Sequence, residues 1–150
     1  MPHRFNKGGR ALAREFALLA VYDFLMTGKS REELDTSMLT LTNDALDKDD
    51  FARADKAYYG KLVTSVTENV PELTAQVEEA LDRDIARVSF VERAILFIAA
   101  TELKNHLEIP YRVIINEAVE LAKNFGGNEG YRYVNGVLDK IAKKCRPNEA

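Results

Sequence analysis

The sequence predicts an all-α fold, a single compact bundle of about seven helices. Three observations carry that reading. Apolar residues recur at helical spacing almost throughout the chain. No run of strict apolar–polar alternation is bounded by hairpin turns. The chain has 150 residues, 46% of them hydrophobic, which suits one domain with its own core and rules out a wholly disordered chain. A chain of this length buries roughly 68–70% of its unfolded surface, so the fold needs neither disulfide nor metal. The single Cys145 excludes an intramolecular disulfide and a multi-cysteine zinc site.

The elements follow in order. The stretch from Arg10 to Met26 is rich in Ala and Leu. On a helical wheel Lys7, Arg10 and Arg14 fall within about 60° of one another, opposite Leu12, Phe16 and Leu19. Beyond Phe16 the helix is apolar nearly all round, which predicts a buried, central element. Gly28 is its stop signal. Ser30 with Glu33 reads as a capping box, and one or two short helices occupy residues 31–46. Asp47-Lys48-Asp49-Asp50 reads as a loop, with Asp49 or Asp50 capping the next helix. That helix runs from Phe51 to Val70, with Ala54, Tyr58, Leu62 and Val66 repeating every four positions. Pro71 suits the first turn of a helix reaching about Arg83. Ser89 to His106 is the next helix. There Val91, Ile95 and Ile98 share a face with Glu102, a carboxylate that is costly at that angle unless paired. Pro110 opens a helix that Gly126-Gly127 closes, and a last helix runs from about Glu129 to Lys144. Residues 1–9 read as a flexible basic tail and residues 146–150 as a frayed end.

Lys and Arg number 21 and Asp and Glu 24, a net charge of −3. Taken alone, that argues against a polyanion binder. The distribution points the other way. Residues 1–29, 30–92 and 93–150 carry +3, −8 and +2, and no acidic residue precedes Glu15. The basic pole is either a solvated tail or a contact for a phosphate backbone. No apolar run approaches the ~18 residues of a membrane span. Residues 1–7 lack the apolar stretch of a signal peptide, so the expected compartment is the cytoplasm.

Catalytic chemistry has little to stand on. His3 and His106 lack ligand spacing with any second His or Cys. Cys145 has no histidine nearby in sequence. The glycines of 126–130 follow a helix rather than a strand, without the Gly-Lys-Ser/Thr ending of a phosphate loop. The chain reads as a non-enzyme without cofactor or metal. Binding has more support. Arg10 and Arg14, one turn apart, can reach adjacent phosphates through planar, two-pronged donors. Tyr131 and Tyr133 flank Arg132 and either stack on unpaired bases or pack into the core.

Several segments resemble one family. Glu92-Arg93-Ala94-Ile95-Leu96 with Ala99-Ala100-Thr101-Glu102-Leu103 is similar to a helix signature of the NusB family of transcription antitermination factors. So are Ile109-Pro110-Tyr111-Arg112-Val113-Ile114-Ile115-Asn116-Glu117-Ala118 and Tyr133-Val134-Asn135-Gly136-Val137-Leu138-Asp139-Lys140, in the family's order and spacing. Ala13-Arg14-Glu15-Phe16-Ala17 with Val21-Tyr22 resembles its first helix. Residues 30–88 match only loosely. The resemblance implies a NusB-like helical protein that binds boxA RNA of ribosomal RNA operons with the ribosomal protein NusE, within the RNA polymerase antitermination complex. It implies RNA contacts at Arg4, Lys7, Arg10, Arg14, Tyr22, Arg132 and Tyr133, and NusE contacts at Tyr22, Glu92 and Glu129. The family commonly has consecutive arginines in the first helix, whereas Ala11 and Leu12 follow Arg10 here, which implies modest RNA affinity raised by NusE. Thr101 stands where a tyrosine is usual. The acidic middle of the chain suits a basic ribosomal protein. Two other readings stay open: a protein–protein adaptor of the same fold, and a detached relative of the domain that precedes some ribosomal RNA cytosine methyltransferases. A homodimer is also open.

Overall fold

A computed structural model describes residues 7–43, 45–81, 84–127 and 129–150, with the side chains of 45–47 outside that description. Arg4, the tail over residues 1–6 and a helix end at Arg83 lie outside the described residues. Among the described residues there are eight α-helices and no strand. They are α1 Gly9–Thr27, α2 Arg31–Leu41, α3 Ala45–Arg53, α4 Lys56–Glu68, α5 Val70–Ala80, α6 Phe90–Asn105, α7 Tyr111–Phe125 and α8 Gly130–Cys145, with one 3₁₀ turn at Ile85–Arg87.

Several helix ends follow local chemistry. Gly28 ends α1 in the left-handed region at φ 71°, its N–H donating to Phe24 O at 2.8 Å. The Ser30 hydroxyl accepts from Glu33 N, and the Glu33 carboxylate accepts from Ser30 N, so the capping box forms. Ser89 caps α6 through Glu92 N, and Pro71 sits in the first turn of α5.

The stretch around Asp50 differs from expectation. Lys48-Asp49-Asp50 lies inside α3, and the break falls at Ala54-Asp55. Asp55 is the cap that forms, its carboxylate accepting from Tyr58 N at 2.9 Å. Its own N–H donates to Gly9 O at 3.0 Å. A Cβ on Gly9 would come within 3.3 Å of Arg53 O, so bare glycine lets α1 start against this turn. The expected caps Asp49 and Asp50 give way to Asp55, which is also tied to α1. That break makes the expected long helix two, and about seven helices become eight.

The buried centre also moves. On α1, burial runs over Leu12–Leu18 with Ala20 and Val21, then gives way to exposed Tyr22 and Met26. The element buried all round is α6, over Ala94–Leu103. It packs against α1, α4, α5, α7 and α8. Fully burying each of Ile95, Leu96, Phe97 and Ile98 contributes on the order of 1.5–3 kcal/mol.

Arg146 corrects the frayed end. It is 5% exposed. Its guanidinium donates to the carbonyls of Glu102, Leu103, His106 and Ile109. They lie at the end of α6 and in the turn beyond it; Glu102 O and His106 O also accept backbone N–H groups, from His106 and Ile109. A cation at that negative helix end is favoured by the dipole as well.

Candidate nucleic-acid and partner interface

α6 orders the candidate residues into two ends. Arg14 of α1 meets Glu102 near the C-terminal end of α6, and Arg10 approaches Glu108 just beyond it. α1 therefore runs opposite to α6. Glu92 lies against Gly130 at the start of α8, while Arg146 holds the last turn of α6. α6 and α8 therefore run the same way. Tyr22 lies eight residues beyond Arg14, about 12 Å along α1 towards the Glu92 end.

The first end holds Lys7, Arg10 and Arg14. Arg14 is not at the surface. It is 5% exposed, and its Nε and Nη2 donate to both Glu102 oxygens at 2.8–3.0 Å. Tyr58 Oη donates to the same carboxylate. Burial pushes the Tyr58 phenol well above its ordinary value, and the Glu102 charge adds to this, so Tyr58 stays a proton donor. For Arg14, burial opposes the charge but the Glu102 bonds outweigh it, and its pKa is raised. Arg14, expected at the RNA, is therefore placed in the interior, with Nε and Nη2 donating to Glu102, 88 residues away in sequence. The same contact answers how Glu102 is tolerated on an apolar face.

Arg10 remains available. Its side chain is 48% exposed, and its guanidinium carbon sits 4.6 Å above the Tyr58 ring centroid, a cation–π distance that orients the planar group. Lys7 pairs with the buried Glu15 at 3.3 Å. The core thus sets Tyr58, and Tyr58 presents Arg10.

The second end holds the remaining candidates. Tyr22, 37% exposed, lines a groove of about 410 Å³ between α1 and α2 with Leu19, Met26, Leu34, Met38 and Leu41. Glu92 is half-buried, its carboxylate over Gly130; a Cβ at 130 would collide with Glu92 Oε2. The missing side chain therefore makes room for an anion at the positive end of α8. Glu129 is exposed and left-handed at φ 60°. Arg132 pairs with Glu129 at 3.6 Å and lies over the Tyr131 ring, which also faces Lys123 at 5.1 Å. Arg132 and Tyr133 line a cleft of about 190 Å³ with Ala80, Leu81 and Val137.

The structure brings together Glu92, Glu129 and Arg132, with Tyr22 towards the same end, and separates them from Lys7 and Arg10. Sequence reasoning missed Tyr58, Glu108 and Lys123. Tyr58 read as one member of an apolar stripe, and nothing local announces that its hydroxyl meets Glu102. Among the described residues, no three of His, Cys, Asp and Glu gather as a metal ion would need, and no helix is long and apolar enough to cross a membrane.

The NusB family profile matches residues 11–143. Transcription antitermination protein NusB of Paraburkholderia xenovorans is 46% identical over 143 residues, covering 95% of this chain and 94% of that protein. The solved structure of T. maritima NusB superposes with a TM-score of 0.76 at 28% identity, covering 95% of this chain and 96% of that one. A structure of antitermination factors NusB and NusE in complex with dsRNA gives a TM-score of 0.73 at 27% identity, over 89% of this chain and 96% of the matched one. On a profile match across most of its length and relatives this close, the chain belongs to the NusB family.

Proposed function

We propose that this chain is a transcription antitermination factor that binds boxA RNA of ribosomal RNA operons together with NusE and promotes read-through by RNA polymerase. One observation carries the RNA part: Arg10 stands half exposed on the Tyr58 ring, within the N-terminal stretch whose sequence is basic. A planar guanidinium presented this way suits a phosphate. Lys7 extends that contact, the resemblance adds Arg4 to the same RNA, and Arg132 and Tyr133 add stacking elsewhere on it. Arg14 acts through Tyr58 rather than on RNA. NusE meets the other end, at Tyr22, Glu92 and Glu129, beside the apolar groove of α1 and α2. The acidic middle of the chain complements a basic ribosomal protein. No catalysis is assigned, and the place of action is the cytoplasm. The likeness to a NusB bound with NusE and dsRNA supports this reading.

A second reading, an adaptor without RNA of its own, is favoured by the carboxylates that already face Lys7 and Arg10. Gel shifts on boxA and scrambled RNA, with and without NusE, separate the two. RNA binding predicts boxA preference in the presence of NusE. Arg10→Ala should weaken it several-fold and flatten its salt dependence by up to about one slope unit. Binding that Arg10→Ala leaves untouched removes Arg10 from the interface, and no shift of either RNA by the chain, alone or added to NusE, favours the adaptor.

A further inference from the structure

The contact between Glu108 and Arg10 goes beyond the RNA reading, though it rests on it. Glu108 lies in the turn between α6 and α7 with its side chain 59% exposed. Its Oε2 is 4.0 Å from Arg10 Nη1 and 3.5 Å from His106 Nδ1. The His106 ring meets the Tyr58 ring edge-on, with centroids 5.1 Å apart. Arg10 lies over that same Tyr58 ring. Glu108 therefore closes a loop of four contacts around the half-exposed Arg10. A hydrogen bond from its own backbone N–H, and then His106 and Arg10, hold the Glu108 carboxyl below the usual carboxylate range, so it carries its charge at neutral pH.

The pair is weak by its geometry. Both side chains are solvated, and 4.0 Å is too long for a hydrogen-bonded fork. A phosphate accepting two N–H bonds from Arg10 would displace it. The carboxylate that faces Lys7 differs. Glu15, facing Lys7, is fully buried, whereas Glu108 sits on an exposed turn and can swing away.

We propose that Glu108 is an internal competitor of RNA phosphate for the Arg10 guanidinium, displaced when RNA binds. Its effect is to lower RNA affinity by a common factor, so that only RNA with further contacts, through NusE or boxA bases, is retained.

The test uses the full chain with NusE and fluorescent boxA RNA at low and high salt. It compares wild type, Glu108→Gln, Arg10→Ala and the double variant. Glu68→Gln serves as a control, because it removes an equal charge ten residues along α4 from Tyr58, about 15 Å away. Glu108→Gln should tighten binding by about threefold at low salt and less at high salt. That gain should vanish on the Arg10→Ala background, and Glu68→Gln should show less than half of it. Wild-type binding that Glu108→Gln leaves unchanged overturns the proposal alone. So does a gain that persists without Arg10 or that Glu68→Gln reproduces. Absence of RNA binding by wild type in every arm overturns the RNA reading and this proposal together.

Discussion

At the C-terminal end of α6 the carboxylate of Glu102 is 1% exposed and closed by Arg14 and Tyr58. At the N-terminal end the carboxylate of Glu92 lies half-buried over Gly130, next to exposed Glu129 and Arg132. Both are glutamates of one helix, and they do different work. Glu102 is spent inside the fold, where a buried charge demands a full set of partners. Glu92 stays near solvent, where helix dipole and missing Cβ position it without enclosing it. α1 repeats the lesson: Arg14 is structural and Arg10, one turn earlier, is presented. Burial, more than residue type, decides which charge holds the bundle and which is left at the surface.

The largest expected effect breaks the buried end. Arg14→Ala strands the Glu102 carboxylate and should lower stability by about 3–5 kcal/mol in urea unfolding. A loss under about 1 kcal/mol would mean that Glu102 is not held as described. Because it acts on the fold, this variant says nothing clean about RNA.

Next comes Arg146→Ala, which releases four carbonyls at the close of α6. We expect a loss on the order of 2–3 kcal/mol, with amide exchange rising first over residues 103–109. Unchanged exchange there would contradict the clamp.

The smallest effect on stability sharpens the open end. Gly130→Ala adds a Cβ where the Glu92 carboxylate sits, while alanine favours a helix over glycine by about 1 kcal/mol. Thermal stability should hold or rise, and NusE affinity measured by calorimetry should fall several-fold. NusE binding at the wild-type level would take Glu92 out of the partner surface.

Much of the fold was legible because its signals are local. The Ser30–Glu33 box, Gly28, Ser89 and Pro71 each act within one turn of the chain, and each forms where the residues predict. The split at Asp55 was not legible. Asp49 and Asp50 read as the caps, but the break falls at Asp55, whose N–H bonds Gly9 O, 46 residues away. The candidate site divides likewise. Arg10, Tyr22 and Glu129 were picked on residue type and likeness and do lie at the surface. Arg14 was picked for the same reasons, yet it is in the core.

By itself the sequence determined an all-helical protein, the stop at Gly28, the capping box at Ser30, the starts at Pro71 and Ser89, the basic N-terminal pole and the family. These follow from periodicity, from one-turn hydrogen bonds and from residue order, none of which needs the chain to be folded first. Tertiary structure alone decided which of two neighbouring arginines is free, which aspartate breaks the long helix, and that Arg146 closes α6 instead of fraying. Each of those outcomes depends on whether a group tens of residues away satisfies a charge or an N–H once water is excluded, and sequence spacing does not encode that distance.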